Sequence, residues 1–211
     1  MKQLVHLLLV ASFLLGAMLV VTDPAMALPG GTWVSGVTVA NLSAETATVN
    51  IKFYKTDGTV ALDFAGGTIA GNSAKTWYLP SHVPGLASGF MGSAVVSSDK
   101  EIAAIVNTQF PSGANPTRVG TSTGVNTPAP VIYATQLMRE AGGWNSYCAV
   151  QNTGSTATNV TFTYYNSAGT AVKTGTQPIE AYATYIFDQS ADTGLTAGQQ
   201  YSGKFAADAS H

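Results

Sequence analysis

The feature that most constrains this chain is an internal repeat. Shifted by 111 positions, residues 33–60 align without a gap onto residues 144–171. Eight of these 28 positions are identical, and they are Trp33/Trp144, Ser35/Ser146, Val39/Val150, Asn41/Asn152, Val49/Val160, Tyr54/Tyr165, Gly58/Gly169 and Thr59/Thr170. A duplication of this length predicts two copies of one structural unit.

Each copy alternates apolar and polar residues with a period of two, as half-buried strands do. Val49, Ile51 and Phe53 are predicted to face inward, and Val160, Phe162 and Tyr164 repeat that pattern. Glycine-rich and asparagine-rich turns separate the strands, and no amphipathic helix follows the first apolar segment. The pattern predicts an all-β chain of two tandem immunoglobulin-like β-sandwich domains, with a jelly roll as the structural rival.

The N-terminus reads as a secretory signal. Lys2 precedes an apolar stretch over residues 4–21, and Ala25-Met26-Ala27 supplies the small-x-small cleavage pattern, so we expect a cut before Leu28. The alternative is an uncleaved anchor, since the stretch approaches the roughly 17–25 residues that span a bilayer. Nothing later is apolar for long enough to cross a membrane, so we expect a secreted, extracellular or cell-surface protein.

The predicted domain organisation follows from the signal and the repeat. Residues 1–27 form the signal peptide, 28–110 the first β-sandwich, 111–130 a linker rich in Pro, Gly, Ser and Thr, and 131–211 the second β-sandwich. Lys75 to Leu79 align with Ala183 to Phe187, at a slightly smaller offset than the rest.

The two copies differ at their ends. The apolar run at residues 101–107 closes the first copy, whereas the second ends before the corresponding strand; residues 131–138 open the second copy without a counterpart in the first. This is the front of a longer repeat protein, or the edges are simply short, or the absent strands are supplied by another subunit. The candidate strand-exchange residues are Ile102, Ile105, Val106, Val131, Tyr133 and Leu137.

Charge and composition limit the classes of partner that the chain can bind. The net charge is -2, which argues against nucleic acid because a phosphate backbone requires a basic face. Charged residues make up 9% of the chain, against about 25% in ordinary soluble domains. Weak charge repulsion suits a protein that packs into a layer, sheath or filament.

A search for catalytic patterns finds none. The chain has no G-x-S-x-G nucleophile elbow and no histidine spacing typical of zinc, and His82 stands alone in a loop. Cys148 is the single cysteine and lies on an inward-facing parity, so we expect a core residue rather than a reactive thiol. We therefore predict no enzyme activity, no cofactor and no metal site.

The remaining candidates for function are tyrosines and two sequons. Tyr54 and Tyr165 lie on the predicted outer face, and Tyr78 and Tyr182 lie near the later strands. All four are candidates for ligand or subunit contact, although cross-strand pairing within a sheet is the simpler explanation for each. Asn41 and Asn159 fit the N-glycosylation sequon, and a turn role is the better explanation for Asn41.

At GWNSYCAVQNTGSTATNVTFTYYNSAGT, IFDQSADTGLTAG and GFMGSAVVSSDKEIAAIVN, the chain resembles tandem repeats of secreted surface proteins from filamentous green non-sulfur bacteria and relatives. The resemblance covers both copies and departs from the repeat pattern at Ala40, Lys204, Phe205 and Ala206. It implies an extracellular β-sandwich of adhesive or structural type, and it transfers no catalytic residue.

Together these observations predict a secreted structural protein that assembles with itself or with other surface proteins. The alternative is a carbohydrate-binding adhesion module that stacks glycans on the exposed tyrosines.

Overall fold

A computed structural model describes residues 34–79, 81–109 and 119–208, which belong to one compact unit, Gly31–His211. These residues form 13 strands in four antiparallel sheets and no helix. The all-β prediction is therefore confirmed. The predicted signal peptide at residues 1–27 and the first part of the linker lie outside the described residues. In the part of the chain described, no helix is long and apolar enough to cross a membrane.

The first half of the molecule, up to residue 123, has two sheets. Its strands are β1 (Val34–Asn41), β2 (Ala47–Lys55), β3 (Val60–Ile69), β4 (Ala74–Leu79), β5 (Gly92–Ser98), β6 (Ile102–Gln109) and β7 (Val119–Thr123). One sheet has the order β4-β1-β6-β7 and the other β3-β2-β5.

The second half, from residue 131, repeats much of this plan. Its strands are β8 (Val131–Arg139), β9 (Tyr147–Gln151), β10 (Thr158–Tyr165), β11 (Ala171–Ile179), β12 (Thr184–Asp188) and β13 (Gln199–Ala207). One sheet has the order β11-β10-β13-β8, and the other contains only β12 and β9. Strands β9 to β13 correspond in order and pairing to β1 to β5.

Each half contains one apolar core that receives side chains from both of its sheets. Val49, Ile51 and Phe53 of β2 are fully buried, and Val160 and Tyr164 of β10 are buried likewise. Since alternate residues of a strand point to opposite faces, this confirms the inward parity read from the sequence. Two sheets around a shared core are consistent with a β-sandwich.

A buried asparagine lies at one end of each core and binds backbone carbonyls there. The Asn41 side-chain amide donates to the carbonyls of Glu45, Ile69 and Ala70 at 2.7–3.1 Å. Asn152 repeats this with three carbonyls at 2.8–3.2 Å, from Thr156, Ile179 and Glu180. Each amide thus joins the β1–β2 or β9–β10 loop to the end of the third strand, which explains why the sequence repeats this residue.

Two details of the sequence interpretation need correction. Within the predicted linker, Val119–Thr123 forms strand β7, which pairs with β6. The alignment of β4 with β12 was also wrong by two residues: Val37 pairs with Trp77, and the corresponding Cys148 pairs with Phe187 rather than Tyr185. A shift of two preserves the inward parity, so alternation alone cannot detect it.

Candidate functional site

Strand β9 lies at the edge of a two-stranded sheet. Among the described residues it pairs with β12, whereas the corresponding β1 lies between β4 and β6. The amide of Asn152, just beyond β9, donates to Ala183 on the β12 side. Because antiparallel strands direct alternate residues to alternate neighbours, the backbone groups of Tyr147, Ala149 and Gln151 face the other, unpaired edge.

The core beside this edge is less covered than its counterpart. Val37 of β1 is 1% exposed, whereas the corresponding Cys148 of β9 is only half-buried. In the first half, Ala104 and Val106 of β6 pack against the core at this place. In the second half, no strand of the described residues does so, and part of the core lies next to an open edge.

A second open edge lies in the first half, on β5. Among the described residues this strand pairs only with β2, whereas the corresponding β13 lies between β10 and β8. On β13, Tyr201 and Phe205 are buried. Ala94 and Val96 face the core from β5 but are only half-buried. The two halves therefore leave different edges unpaired.

The predicted strand-exchange residues lie in strands that are already paired. Ile102, Ile105 and Val106 belong to β6, between β1 and β7. The remaining three lie in β8, which pairs with β13, and they are Val131, Tyr133 and Leu137. Among the described residues β6 therefore has neighbours on both sides, whereas β8 lies at an edge of its sheet, as β5 and β9 do.

Two of the four predicted contact tyrosines lie against each other. The rings of Tyr54 and Tyr182 stack with centroids 5.4 Å apart and planes 23° apart. Beside them the backbone amide of Thr184 donates to the carbonyl of Thr56 at 3.2 Å. The pair therefore joins the two halves of the chain, and the Tyr54 face is covered from within the molecule.

Tyr182 adopts a left-handed backbone conformation with φ of 60°. The corresponding residue of the first half is Asn72, with φ of 56°, and asparagine tolerates this region better. The strain at Tyr182 is of order 1 kcal/mol or more. The stacking contact with Tyr54 supplies a reason why an aromatic residue occupies the position.

The other two tyrosines are placed differently. Tyr78 is 58% exposed on β4, with the ring of His82 against it edge-on at 5.1 Å. Tyr165 ends β10 and is half-buried. The structure does not bring these two rings together with the Tyr54–Tyr182 pair into one stacking surface.

The sequons differ in access. The Asn41 amide is 2% exposed and holds three carbonyls, so the folded chain does not offer it for modification. Asn159 is exposed on β10, and its amide donates to Asp208 at 2.8 Å. Of the two, only Asn159 is accessible in the fold.

Burial or hydrogen bonding explains the state of several titratable groups in the second half. Burial raises the pKa of the Cys148 thiol to about 11, which keeps it protonated at neutral pH. Asp192 pairs with Lys173 at 2.5 Å, and Asp188 accepts from the amide of Ser190 at 2.8 Å. No group of three potential metal ligands occurs in residues 34–79, 81–109 and 119–208.

One buried polar pair was not foreseen from the sequence. Gln189 is 0% exposed, and its amide donates to the Tyr164 hydroxyl at 3.2 Å. The corresponding first-half residues are Leu79 and Phe53, so a hydrogen-bonded pair replaces an apolar pair. The sequence does show that both positions change from apolar to polar between the two copies. The two-residue error in aligning β4 with β12 hid this signal.

No protein-family model, no curated protein and no solved structure matches this chain.

Proposed function

We propose that this chain is an exported structural protein of the cell surface or extracellular matrix, whose two tandem immunoglobulin-like domains assemble with further copies into a layer, sheath or filament. The observation that carries the proposal is the open edge of β9 beside an incompletely covered core. An unpaired strand next to exposed core residues favours the addition of another strand.

The chemistry of the open edges supports this proposal. Soluble proteins commonly protect an edge strand with Lys, Pro or an inward-pointing charge. Strand β9 reads YCAVQ and β5 reads GSAVVSS, and neither contains such a residue. The low charge of the chain adds little repulsion between copies.

The covered face of Tyr54 favours assembly over glycan stacking. A sugar platform requires an accessible ring face, and the Tyr54 ring is stacked on Tyr182. The Tyr54–Tyr182 pair therefore forms part of the contact between the two halves of the chain.

The test is the mass of purified residues 28–211 as a function of concentration, by light scattering after size exclusion, with electron microscopy of the largest species. We expect growth into ordered assemblies. Ala149→Pro removes an amide that faces the open edge and leaves the β9–β12 pairing intact, so it should reduce assembly. Ala149→Ser is the matched control and should assemble normally.

A strict monomer at all concentrations would contradict the proposal. Binding on a glycan array that is lost in Tyr78→Ala, together with a monomeric mass, would favour the adhesion alternative. Export is tested separately by sequencing the N-terminus of the protein recovered outside cells, which we expect to begin at Leu28.

A further inference from the structure

The first residues of β8 form an apolar strand edge. Among the described residues β8 pairs with β13 alone. Ile132 is 40% exposed and Tyr133 is 71% exposed, and residues 131–138 contain neither a charge nor a proline. Edge strands of soluble proteins commonly carry such residues as protection against pairing with another chain. β8 is therefore open to strand addition, as β9 is.

Backbone direction determines which residues of β8 reach its open edge. The amide of Ala207, at the end of β13, donates to the carbonyl of Pro130, just before β8. Because alternate residues of an antiparallel strand face alternate neighbours, Ile132 and Ala134 also direct their backbone groups to β13. The residues between them direct theirs to the open edge, and these are Val131, Tyr133 and Thr135.

β8 and β9 share one relation between backbone and side chains. On β9, Cys148 and Val150 face the core, and the residues with free backbone groups point outward. On β8, Ile132 lies opposite the core residue Phe205 and Ala134 packs on the same core, so the residues with free backbone groups again point outward. The free groups of β8 and β9 can therefore meet while both core faces stay on the same side of the joined sheet.

Strand β5 does not have this relation. The amide of Lys55 donates to Thr59 in the β2–β3 hairpin, so Tyr54 and the residues alternating with it direct their backbone groups to β5. Ala94 and Val96 thus direct their backbone groups to the open edge while their side chains face the core. Pairing of β5 with β9 would place the two core faces on opposite sides of the sheet.

The first half contains a pairing of the required kind. β6 fills the corresponding edge of β1, with Ile105 opposite Thr38 on the outer face. Ala104 and Val106 of β6 face the core there. β8 likewise presents one alanine and one β-branched residue to the core side, at alternate positions. Its side chains therefore suit the place beside β9.

The open edge of β9 lies away from the contact between the two halves. The carbonyl of Ala183, just before β12, accepts the amide of Asn152 on the β9 side. The next residue, Thr184, directs its amide to the other side of β12, where it donates to Thr56 of the first half at 3.2 Å. β12 therefore separates β9 from the first half, and a second copy can reach β9 from the opposite side.

We propose that β9 of one copy pairs in antiparallel orientation with β8 of a second copy of this chain. This inference rests on the proposed self-assembly and names one of its contacts. The opposing residues, with that of β9 first, are Ala149 and Tyr133, Cys148 and Ala134, and Val150 and Ile132. This register places all five residues of β9 opposite residues 131–135. A shift of two runs β9 past the start of β8 or onto Leu137, beyond the break in the β8–β13 register.

The side chains of this pairing are compatible. None of the opposing residues is charged, so no like charges meet. The contact supplies backbone partners for the free residues of β9. It also covers the half-buried Cys148 and the exposed Ile132 and Tyr133.

Two chains with one thiol each test the register. Cys148 and the partner's Ala134 form a non-hydrogen-bonded pair with Cα atoms about 4.5 Å apart, a separation that permits a disulfide. Because Cys148 is the single native cysteine, the unmodified chain supplies one thiol. Cys148→Ser combined with Ala134→Cys supplies the other, and neither chain can form an internal bridge. The matched control is Cys148→Ser combined with Thr135→Cys, one residue further along β8 on the outer face.

The two chains, as residues 28–211, are mixed at a concentration that supports assembly, oxidised and separated on a non-reducing gel. We expect a covalent two-chain species with the Ala134→Cys chain, mapped by mass spectrometry to a bridge between positions 134 and 148. The Thr135→Cys control should give at least ten-fold less of it. Circular dichroism checks that both variants fold.

The central pair of the contact provides a second test. Tyr133→Pro and Ala149→Pro each remove one hydrogen bond between Tyr133 and Ala149 and leave the β8–β13 and β9–β12 bonds in place. Each should raise the concentration needed for assembly about ten-fold, as measured by light scattering. Tyr133→Phe keeps the amide and should assemble normally.

Hydrogen exchange on the unmodified chain gives a readout that needs no variant. The amides of Tyr133 and Ala149 should become protected together on assembly. Protection of Ala149 without Tyr133 would overturn this contact, even if no variant folded. So would assembly with no 134–148 bridge, equal bridging by the control, or a bridge between two Cys148 residues, and each of these leaves self-assembly standing. Absence of assembly would overturn both proposals.

Discussion

Strands β1 and β9 show how similar sequences acquire different exposure. β1 spans eight residues and is paired on both sides, whereas β9 spans five and, within the part of the chain that the structure describes, is paired on one side. Two residues of β1, Val34 and Ser35, precede the counterpart of β9, and both pair with β6. The comparison teaches that the length and burial of this strand depend on its second neighbour.

The difference between β1 and β9 is tested most sharply at two corresponding backbone amides. The amide of Thr38 faces β6, and that of Ala149 faces the open edge. Thr38→Pro removes a ladder hydrogen bond in a central strand and should lower the free energy of unfolding by about 3 kcal/mol. Ala149→Pro should cost less than about 1 kcal/mol. Urea unfolding at low protein concentration measures both.

Thr38→Ala is the control for Thr38→Pro, since it removes the hydroxyl that meets Thr76 at 2.8 Å but keeps the amide. Equal costs for the two proline variants would mean that β9 is paired on both sides.

The next comparison concerns the hairpin turns. Gly58 and Gly169 both have positive φ, at 85° and 78°. A Cβ at Gly58 would lie 2.1 Å from the carbonyl oxygen of Ala181, whereas a Cβ at Gly169 meets nothing within 4 Å. Gly169→Ala should therefore cost about 1 kcal/mol from backbone strain alone.

Gly58→Ala should cost about 2 kcal/mol or more, because it adds a clash at the joint between the halves. It should also separate the Tyr54–Tyr182 pair, which near-ultraviolet circular dichroism reports. If both glycine variants lost the same stability and kept the same spectrum, the joint would not depend on this contact.

How far the sequence predicts the structure varies with the element. Strand β2 was predicted correctly because Val49, Ile51 and Phe53 alternate without interruption. Strand β7 was not, because Val119–Thr123 has no such alternation and is stabilised by pairing with β6. Parity could not fix the register of Trp77 against Phe187, since a shift of two residues leaves each side chain on the same face.

The candidate site was predicted only in outline. The unequal ends of the repeat indicated that strands are unpaired, but which edges are open depends on sheet order, which long-range pairing determines. The stacking of Tyr54 on Tyr182 depends on how the halves meet and has no local signal. The Asn152 side chain shows the opposite case, because a residue repeated at a turn does indicate a structural role.

A smaller effect is expected at the buried polar pair. Tyr164→Phe leaves the Gln189 amide without its acceptor and should cost about 1–2 kcal/mol. Tyr164→Phe combined with Gln189→Leu installs the residue types found in the first half and should recover most of this loss. Urea unfolding of the single and double variants gives the coupling, and strictly additive costs would contradict the interaction.

The smallest effect on stability concerns pH. Because burial raises the pKa of Cys148 from 9.0 to about 11, its thiolate fraction near pH 8 should be about 100-fold lower than in the unfolded chain. The unfolded state loses this proton first, so stability falls as pH rises from 9 towards 11 and is unaffected below that window.

Alkylation rates of folded and urea-unfolded chain between pH 7 and 11 measure this difference directly. Equal rates at pH 8 would show that the Cys148 thiol is not covered by the core.

The central claim is that the β9 edge is open in the single chain and filled on assembly. Amide hydrogen exchange followed by mass spectrometry tests it, with Thr38 as the internal reference for a strand paired on both sides. We predict that the amides of Ala149 and Gln151 exchange rapidly in dilute protein, while that of Thr38 is protected. In the assembled fraction, the amides of Ala149 and Gln151 should become protected as well. Protection of Ala149 at every concentration, or rapid exchange within the assemblies, would contradict the account.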